Sequence, residues 1–353
     1  MQPIIKMKKI LVVGDLSIPA RLIIEGFKEF EDYGYQIICF DWKTLDQEDL
    51  DRRGRNIEQN GPEAEEFSKD ILFEISDAEI LIVDFCPVPA SLLNMAHQLK
   101  VIGCLRTNTS NIDLSVAKKK KITVIHTKGR TADAVAEFTI GLMLAECRNI
   151  ARAYASIKKG VWQKDFSNRK YCLNLSDKVI GLIGFGYVGQ MVAKKLKGFD
   201  VKIIATDLFV SEDVFQEFGV KRVEMDYLLA NSDFISVHVN LSEKTKNLLS
   251  HKEFSIMKRS CYFINTARAE IVDQNALYQA LKKKMIAGAG LDVFVQEPLT
   301  YDNPFLELDN VTLTSHLAGG TQDTYYNSIK ILLEDIRRWY KKEIPKNLVA
   351  IGE

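Results

Sequence analysis

Neither sign of charge is in excess in this sequence: its 353 residues hold 47 lysines and arginines against 47 aspartates and glutamates. That balance points to no nucleic-acid and no membrane partner. The densest basic run, Lys118 to Lys121, lies between Ile112-Asp113-Leu114 and the apolar run Ile122 to Ile125, and reads as a solvated helix end. No apolar stretch approaches the roughly 20 residues that a bilayer requires. Lys6, Lys8 and Lys9 precede an apolar run, Ile10 to Val13, which is too short for a signal peptide and opens a strand instead. The six cysteines (Cys39, Cys86, Cys104, Cys147, Cys172, Cys261) include no Cys-x-x-Cys pair and read as reduced core thiols. No metal site, internal repeat or low-complexity linker is evident. These absences predict a soluble, cytoplasmic protein of about two domains with ample core.

What is present is an alternation of strands and helices. Lys9 to Gly14, Gln36 to Phe40, Ile80 to Asp84, Val101 to Leu105 and Thr123 to His126 read as strands, with helices over Arg21 to Phe30 and Ala90 to Leu99. Residues 44 to 70, which hold Arg52-Arg53-Gly54-Arg55, read as a loop followed by an acidic helix. Residues 133 to 159 read as one long amphipathic helix on the recurrence of Val135, Phe138, Leu142, Ala145 and Ile150. Later strands are expected at Phe234 to Val239, Tyr262 to Asn265, Ala287 to Val293 and Val311 to Thr314, completing a six-stranded parallel sheet, and Thr321 to Lys342 reads as a closing helix that packs back on the first region.

Between these regions lies the stretch that organises the chain. Lys178 to Ile183 is an apolar strand, Gly184-Phe185-Gly186-Tyr187-Val188-Gly189 a glycine turn opening a helix, and Val201 to Asp207 a second strand closed by an acid. This is a βαβ unit able to bind a dinucleotide. Gly184 permits the turn, Gly186 lets the backbone approach a pyrophosphate, and Gly189 lets the helix lie close on the sheet. Free N–H groups at the helix start meet the phosphates. Asp207 can accept hydrogen bonds from both ribose hydroxyls and would repel a 2′-phosphate, which argues for NAD over NADP.

Sheets of this kind bind ligands at the carboxyl ends of their strands. Three polar residues lie just past such ends: Arg268 in Asn265-Thr266-Ala267-Arg268, Glu297 in Asp292-Val293-Phe294-Val295-Gln296-Glu297-Pro298, and His316 in Thr314-Ser315-His316. Reduction of a ketone builds negative charge on oxygen, so it needs a proton donor and a cation that fixes the substrate. Histidine suits the first task, an acid beside it would fix its tautomer, and the planar fork of an arginine suits the second.

From about residue 100 to 325 these motifs resemble the D-isomer-specific 2-hydroxyacid dehydrogenase family. The resemblance is carried by the glycine turn with Asp207, Ser232-Asp233-Phe234-Ile235-Ser236-Val237-His238-Val239, Met257-Lys258 with Ile264-Asn265-Thr266-Ala267-Arg268, Ile286 to Phe294 with Glu297-Pro298, and Thr314-Ser315-His316. It implies Arg268, Glu297 and His316 as the catalytic arginine, acid and histidine. It further implies cofactor contacts from Tyr187, Val188, Asp207, His238, Asn240, Thr266, Ala267 and Asp292, with Asp292 holding the nicotinamide carboxamide. Two doubly wound parallel-sheet domains are implied: a flavodoxin-like split substrate domain from residues 1–127 and 317–353, and a Rossmann NAD-binding domain from 128–316. The crossover helix 133–159 would form a homodimer interface.

Two departures stand out: Ala269 follows the arginine where the family usually has glycine, and the substrate loop reads Cys104-Leu105-Arg106-Thr107-Asn108-Thr109 where many members have a glycine-rich run. Arg106, with Thr107, is a candidate substrate contact, binding a phosphate or second polar group, or else pairing with an acid across the cleft. The loop Asp84-Phe85-Cys86-Pro87-Val88-Pro89 is expected to help choose the substrate. The expectation is an NAD-dependent oxidoreductase interconverting a small D-2-hydroxy acid and its 2-keto acid. Alternatives are a D-3-phosphoglycerate dehydrogenase without the C-terminal regulatory domain, or a corepressor-like NAD-sensing module. Formate oxidation is disfavoured because Glu297 stands where the formate enzymes have glutamine.

Overall fold

The computed structural model describes residues 7–349, and the two segments of sequence beyond them are left aside. The chain forms two compact units, one from the N-terminal part through Arg130 together with the part from Thr321 onward, the other Thr131–Gly320.

The first unit runs β1 (Lys8–Gly14), α1 (Ala20–Phe27), β2 (Tyr35–Asp41), α2 (Gln47–Asn60), β3 (Ile80–Val83), α3 (Ala90–Met95), β4 (Val101–Cys104), α4 (Leu114–Lys119) and β5 (Thr123–Ile125). The strands form one parallel sheet in the order β2-β1-β3-β4-β5. Strands buried on both faces read as near-continuous apolar runs, and the alternation of side chains divides them between two cores. Leu11, Val13, Leu81, Val83 and Ile102 pack with Leu50 and Ile57 of α2 and Leu92 and Leu93 of α3. Ile10, Val12, Ile80, Ile82 and Val101 face the other way, onto Ile23 and Phe27 of α1 and onto Ile329, Leu332 and Ile336 of the C-terminal helix Gln322–Tyr340. Each such side chain contributes about 1.5–3 kcal/mol on burial. The lysine run ends α4, with Lys118 and Lys119 in its last turn.

The second unit contains α5 (Ala132–Cys147), α6 (Ile150–Lys158), β6 (Val179–Ile183), α7 (Tyr187–Leu196), β7 (Lys202–Thr206), α8 (Glu212–Phe218), β8 (Lys221–Arg222), α9 (Met225–Asn231), β9 (Phe234–Val237), α10 (His251–Ile256), β10 (Tyr262–Asn265), α11 (Gln274–Lys282), β11 (Gly288–Leu291) and β12 (Val311–Leu313). Its parallel sheet has the order β12-β11-β10-β9-β6-β7-β8. The order reverses at β6, which pairs with β7 on one side and β9 on the other. A ligand crevice is therefore expected outside the carboxyl ends of β6 and β9.

Several sequence expectations are corrected. The expected long helix 133–159 is broken: α5 ends at Cys147, and Asn149 takes a left-handed conformation (φ 58°, ψ 29°) before α6 begins. Asparagine tolerates that conformation better than most residues, and its Oδ1 accepts from Arg152 at 2.7 Å. Residues 44–70 reverse the expected order, with the helix first and the arginine run inside it. Asp46 caps that helix by accepting from Asp49 N at 2.9 Å. The sheet of the second unit has seven strands rather than six, because two residues after α8 add a short edge. The helix at Ala90 ends at Met95, not Leu99. All six cysteines are free, but Cys39 and Cys172 are exposed rather than in the core. Among the described residues no helix is long and apolar enough to cross a membrane.

Candidate active site

The glycine turn after β6 is built by steric necessity. Gly184 has φ 97°, and a Cβ there would lie 2.7 Å from the backbone of His238 and Val239. A Cβ on Gly189 would lie 2.4 Å from the Gly184 carbonyl oxygen, so α7 approaches the turn as closely as a backbone can. Gly186 differs: nothing lies within 4 Å of its Cβ position. It caps α7 without a side-chain hydrogen bond, so the open space in front of the helix start is faced by first-turn N–H groups of Tyr187, Val188 and Gly189, which lack intrahelical partners. An open cradle at a helix N-terminus suits a pyrophosphate, and the residues present fit a dinucleotide.

Asp207 stands just past β7. Its Oδ2 accepts from Phe185 N at 2.8 Å, and its Oδ1 from Phe209 N at 2.8 Å and Val210 N at 3.1 Å. The acid thus ties its own loop to the glycine turn. His238, at the end of β9, donates its backbone N–H to Ile183 O at 2.7 Å. Its imidazole is held neutral, because burial pushes its pKa down to about 3. Asn240 is exposed, and its carbonyl accepts from Thr245 Oγ1 at 2.6 Å.

The three catalytic candidates occupy the carboxyl ends of the adjacent strands β10, β11 and β12. After β10, Asn265 staples the turn leading to Arg268: its Oδ1 accepts from Ala267 N and its Nδ2 donates to Arg268 O, both at 3.0 Å. The Thr266 hydroxyl pairs with that of Thr139 on α5 at 2.8 Å. Arg268 itself is exposed, with Nη1 donating to Ala267 O at 2.7 Å. Ala269 is buried and free of positive φ, so this turn does not require the usual glycine.

Glu297 and His316 meet directly. His316 Nδ1 lies 2.7 Å from Glu297 Oε2, and Glu297 Oε1 accepts from Phe294 N at 2.9 Å. An acceptor on Nδ1 leaves Nε2 to face a ligand. His316 has φ 57°, a conformation that costs a non-glycine residue on the order of 1 kcal/mol and persists only when its surroundings impose it. Asp292 imposes it. Its wholly buried carboxylate accepts from Thr314 Oγ1 at 2.6 Å, Leu317 N at 2.9 Å and Ala318 N at 2.9 Å, holding the chain on both sides of the histidine.

The remaining substrate candidates lie in the first unit. Arg106 pairs with Glu58 of α2, an acid of the same unit, and its guanidinium stacks on Phe85, 3.5 Å from the ring centre. The Thr107 hydroxyl donates to Thr127 O at 3.1 Å, so it serves the loop itself. Sequence reasoning missed Asn265, Thr139 and Glu58. Asn265 alone carried a signal, since asparagine commonly closes a turn onto the backbone two residues on.

The model of the family described as D-isomer specific 2-hydroxyacid dehydrogenase, NAD binding domain, matches residues 140–318. A glyoxylate reductase from Korarchaeum cryptofilum is 34% identical over 289 residues, 81% of this chain and 87% of that protein. A D-3-phosphoglycerate dehydrogenase from Methanocaldococcus jannaschii is 37% identical over 283 residues, 80% of this chain, but the match spans only about half, 53%, of that longer protein. Among solved structures, D-lactate dehydrogenase with NAD+ from Lactobacillus jensenii aligns with a TM-score of 0.73 at 25% identity, covering 97% of this chain and 99% of that one.

Proposed function

Because this chain belongs to the D-isomer-specific 2-hydroxyacid dehydrogenase family and carries its NAD(P)-binding domain, we propose that it interconverts a small D-2-hydroxy acid and its 2-keto acid with NAD. The observation that carries the reading is the 2.7 Å pair of His316 and Glu297, anchored to Phe294 N and set one strand away from the turn that bears Arg268. Bound NADH supplies the hydride that the substrate carbon takes up. The chain does the rest. Arg268 holds the substrate carboxylate and polarises the neighbouring carbonyl. His316 Nε2 gives the proton that the carbonyl oxygen takes up, and takes it back in the oxidative direction. Glu297 keeps the ring oriented and stabilises its charged form during turnover.

Tyr187, Val188 and Gly189 receive the pyrophosphate on the start of α7, with Gly184 and Gly186 shaping the turn. His238, Asn240, Thr266 and Ala267 border the crevice, and Asp292 reaches the carboxamide in addition to ordering the His316 loop. Asp207 takes the ribose hydroxyls, and its negative charge supports NAD over NADP. A homodimer is supported by α6, where Ile150, Tyr154 and Ile157 recur on one face and are exposed, followed by exposed Val161 and Trp162.

The test is NADH oxidation by the purified protein with glyoxylate, hydroxypyruvate, pyruvate, phenylpyruvate and phosphohydroxypyruvate, repeated with His316→Ala. Turnover that collapses in the variant supports the reading. Tight NADH binding without turnover of any of these acids would replace it with a sensing module.

A further inference from the structure

The turn that bears Arg268 is tied to α5 as well as to itself. Thr139, Leu142 and Glu146 lie on one face of that helix, three and four residues apart, and all three are buried. They cross β10, β11 and β12, adjacent strands whose carboxyl ends lead to Arg268, Glu297 and His316. Leu142 lies against β11, where a Cβ on Gly290 would sit 3.1 Å from the Leu142 Cβ. Glu146 Oε2 accepts from Thr312 Oγ1 of β12 at 2.6 Å, and Gly288 leaves room for its carboxylate at the start of β11. Of the three, Thr139 is the one that meets the carboxyl edge. Its Oγ1 lies 2.8 Å from that of Thr266, one residue past β10 and two before Arg268.

A count of protons gives this contact a direction. A threonine hydroxyl has one proton to give, and that of Thr139 goes to Val135 O at 2.7 Å, a carbonyl that can only accept. Thr266 is therefore the donor to Thr139, and the chain runs from Thr266 through Thr139 to Val135. Thr139 is fully buried and Thr266 7% exposed, so solvent competes little for these bonds, and each strengthens the next. Asn265 fixes the internal shape of the turn through Ala267 N and Arg268 O. Thr139 fixes where that turn stands against the helix. Among the described residues the Arg268 side chain makes one hydrogen bond, to Ala267 O, so the backbone beneath it sets where its guanidinium can reach.

Resting on the dehydrogenase reading above, we infer that Thr139 is a positioning residue for Arg268, acting through the Thr266 hydroxyl. It holds the frame from which the arginine grips the substrate. Misplacing a substrate-fixing group by about 1 Å can cost on the order of 100-fold in rate. Glu146, on the same helix face, meets β11 and β12 away from their carboxyl ends and serves stability alone.

The experiment compares the full-length wild type with Thr139→Val, Thr139→Ser, Thr266→Val, the Thr139→Val/Thr266→Val pair and Thr312→Val. Kinetics are read with NADH against glyoxylate and hydroxypyruvate, and amide hydrogen exchange without ligands. Thr139→Val keeps the shape and removes the hydroxyl; it should raise KM for the keto acid about three- to tenfold with a smaller change in kcat, and speed exchange at Ala267 N. Thr139→Ser keeps the oxygen and should restore both. Thr266→Val breaks the bond from its other end and should give the same rise, which keeps the test open if Thr139→Val fails to fold. In the pair no hydroxyl is left unpartnered, so the melting temperature lost in Thr139→Val should recover, while KM should be no worse than in Thr266→Val alone. Thr312→Val takes a partner from Glu146 and should lower the melting temperature without moving KM or Ala267 exchange. An unchanged KM and Ala267 exchange in Thr139→Val, a serine that restores neither, a further rise of KM in the pair, or an equal rise in Thr312→Val overturns the inference and leaves the dehydrogenase intact. Absence of turnover by the wild type with both acids overturns the dehydrogenase reading, and Ala267 exchange then decides by itself whether Thr139 holds the turn.

Discussion

The carboxyl edges of the two sheets share one anchoring device and differ in how their buried charge is satisfied. In the second unit each anchoring side chain accepts backbone N–H groups from the loop it orders: Asp207 from three, Asp292 from two along with the Thr314 hydroxyl, Asn265 and Glu297 from one each. Such acceptors fix geometry, and the geometry of the His316 loop is one a histidine would not adopt alone. In the first unit Asp15 likewise accepts from Ser17, Ile18 and Phe85. Asp84 beside it is fully buried, with neither carboxylate oxygen hydrogen-bonded among the described residues and only the Arg130 guanidinium at 3.6 Å. Burial first, and then the Asp84 charge, push the Asp15 carboxyl up to about 7. One edge is thus a rigid frame, and the other keeps charge at a cost that varies with pH.

The sharpest test of the rigid edge is His316→Ala, expected to lower kcat by about 10²–10⁴-fold while NADH affinity, read by fluorescence titration, stays near that of the wild type. A loss of NADH affinity with no loss of kcat would put the proton donor elsewhere. Next in size, Asp207→Asn removes the charge and an acceptor from Phe185 N, and should shrink the preference for NADH over NADPH by about 10- to 100-fold; an unchanged ratio of kcat/KM values would deny Asp207 that role. Asn265→Ala leaves Ala267 N and Arg268 O without their partner, which should cost about 1–3 kcal/mol in urea denaturation and raise KM for the keto acid. Unaltered stability and KM would mean the Arg268 turn holds without its staple.

The smallest effect tests the other edge. A carboxyl raised in the folded state from its ordinary 3.8 to about 7 keeps its proton on folding, so its contribution to stability is present at low pH, is lost progressively as pH rises from about 4 to about 7, and does not fall further above that. Asp84→Asn removes the charge that helps raise Asp15, so denaturation at pH 5 and pH 8 should show the variant gaining on the wild type at the higher pH by on the order of 1 kcal/mol. The buried His126, whose pKa is lowered chiefly by desolvation, acts with the opposite sign but in both proteins, and drops out of the difference. A constant gap between the two proteins at both pH values would end the account.

Local pattern made some features legible and hid others. The strands of both sheets show as apolar β-branched runs, because burial on both faces removes any need for alternation with polar residues. The break at Asn149 did not show, since the apolar spacing of α5 and α6 continues through it while one backbone conformation changes direction. The helix Gln47–Asn60 was obscured by its own charge: mostly solvated, it buries only Leu50, Gly54 and Ile57, too few for its periodicity to stand out. Arg106 was visible as an unusual residue, but its partner is 48 positions away, and no local rule connects them.

The sequence by itself determined the glycine turn, the acid after the second strand of that βαβ unit, and the positions of Arg268, Glu297 and His316 just beyond three strand ends, because these depend on short-range backbone sterics and on where apolar runs stop. Only the tertiary structure decided that Glu297 turns back onto His316 at 2.7 Å, that Asp292 holds the histidine loop, and that Glu58 meets Arg106 over Phe85. Those contacts join residues from different strands and helices, and their distances follow from how the sheets and helices pack rather than from spacing along the chain.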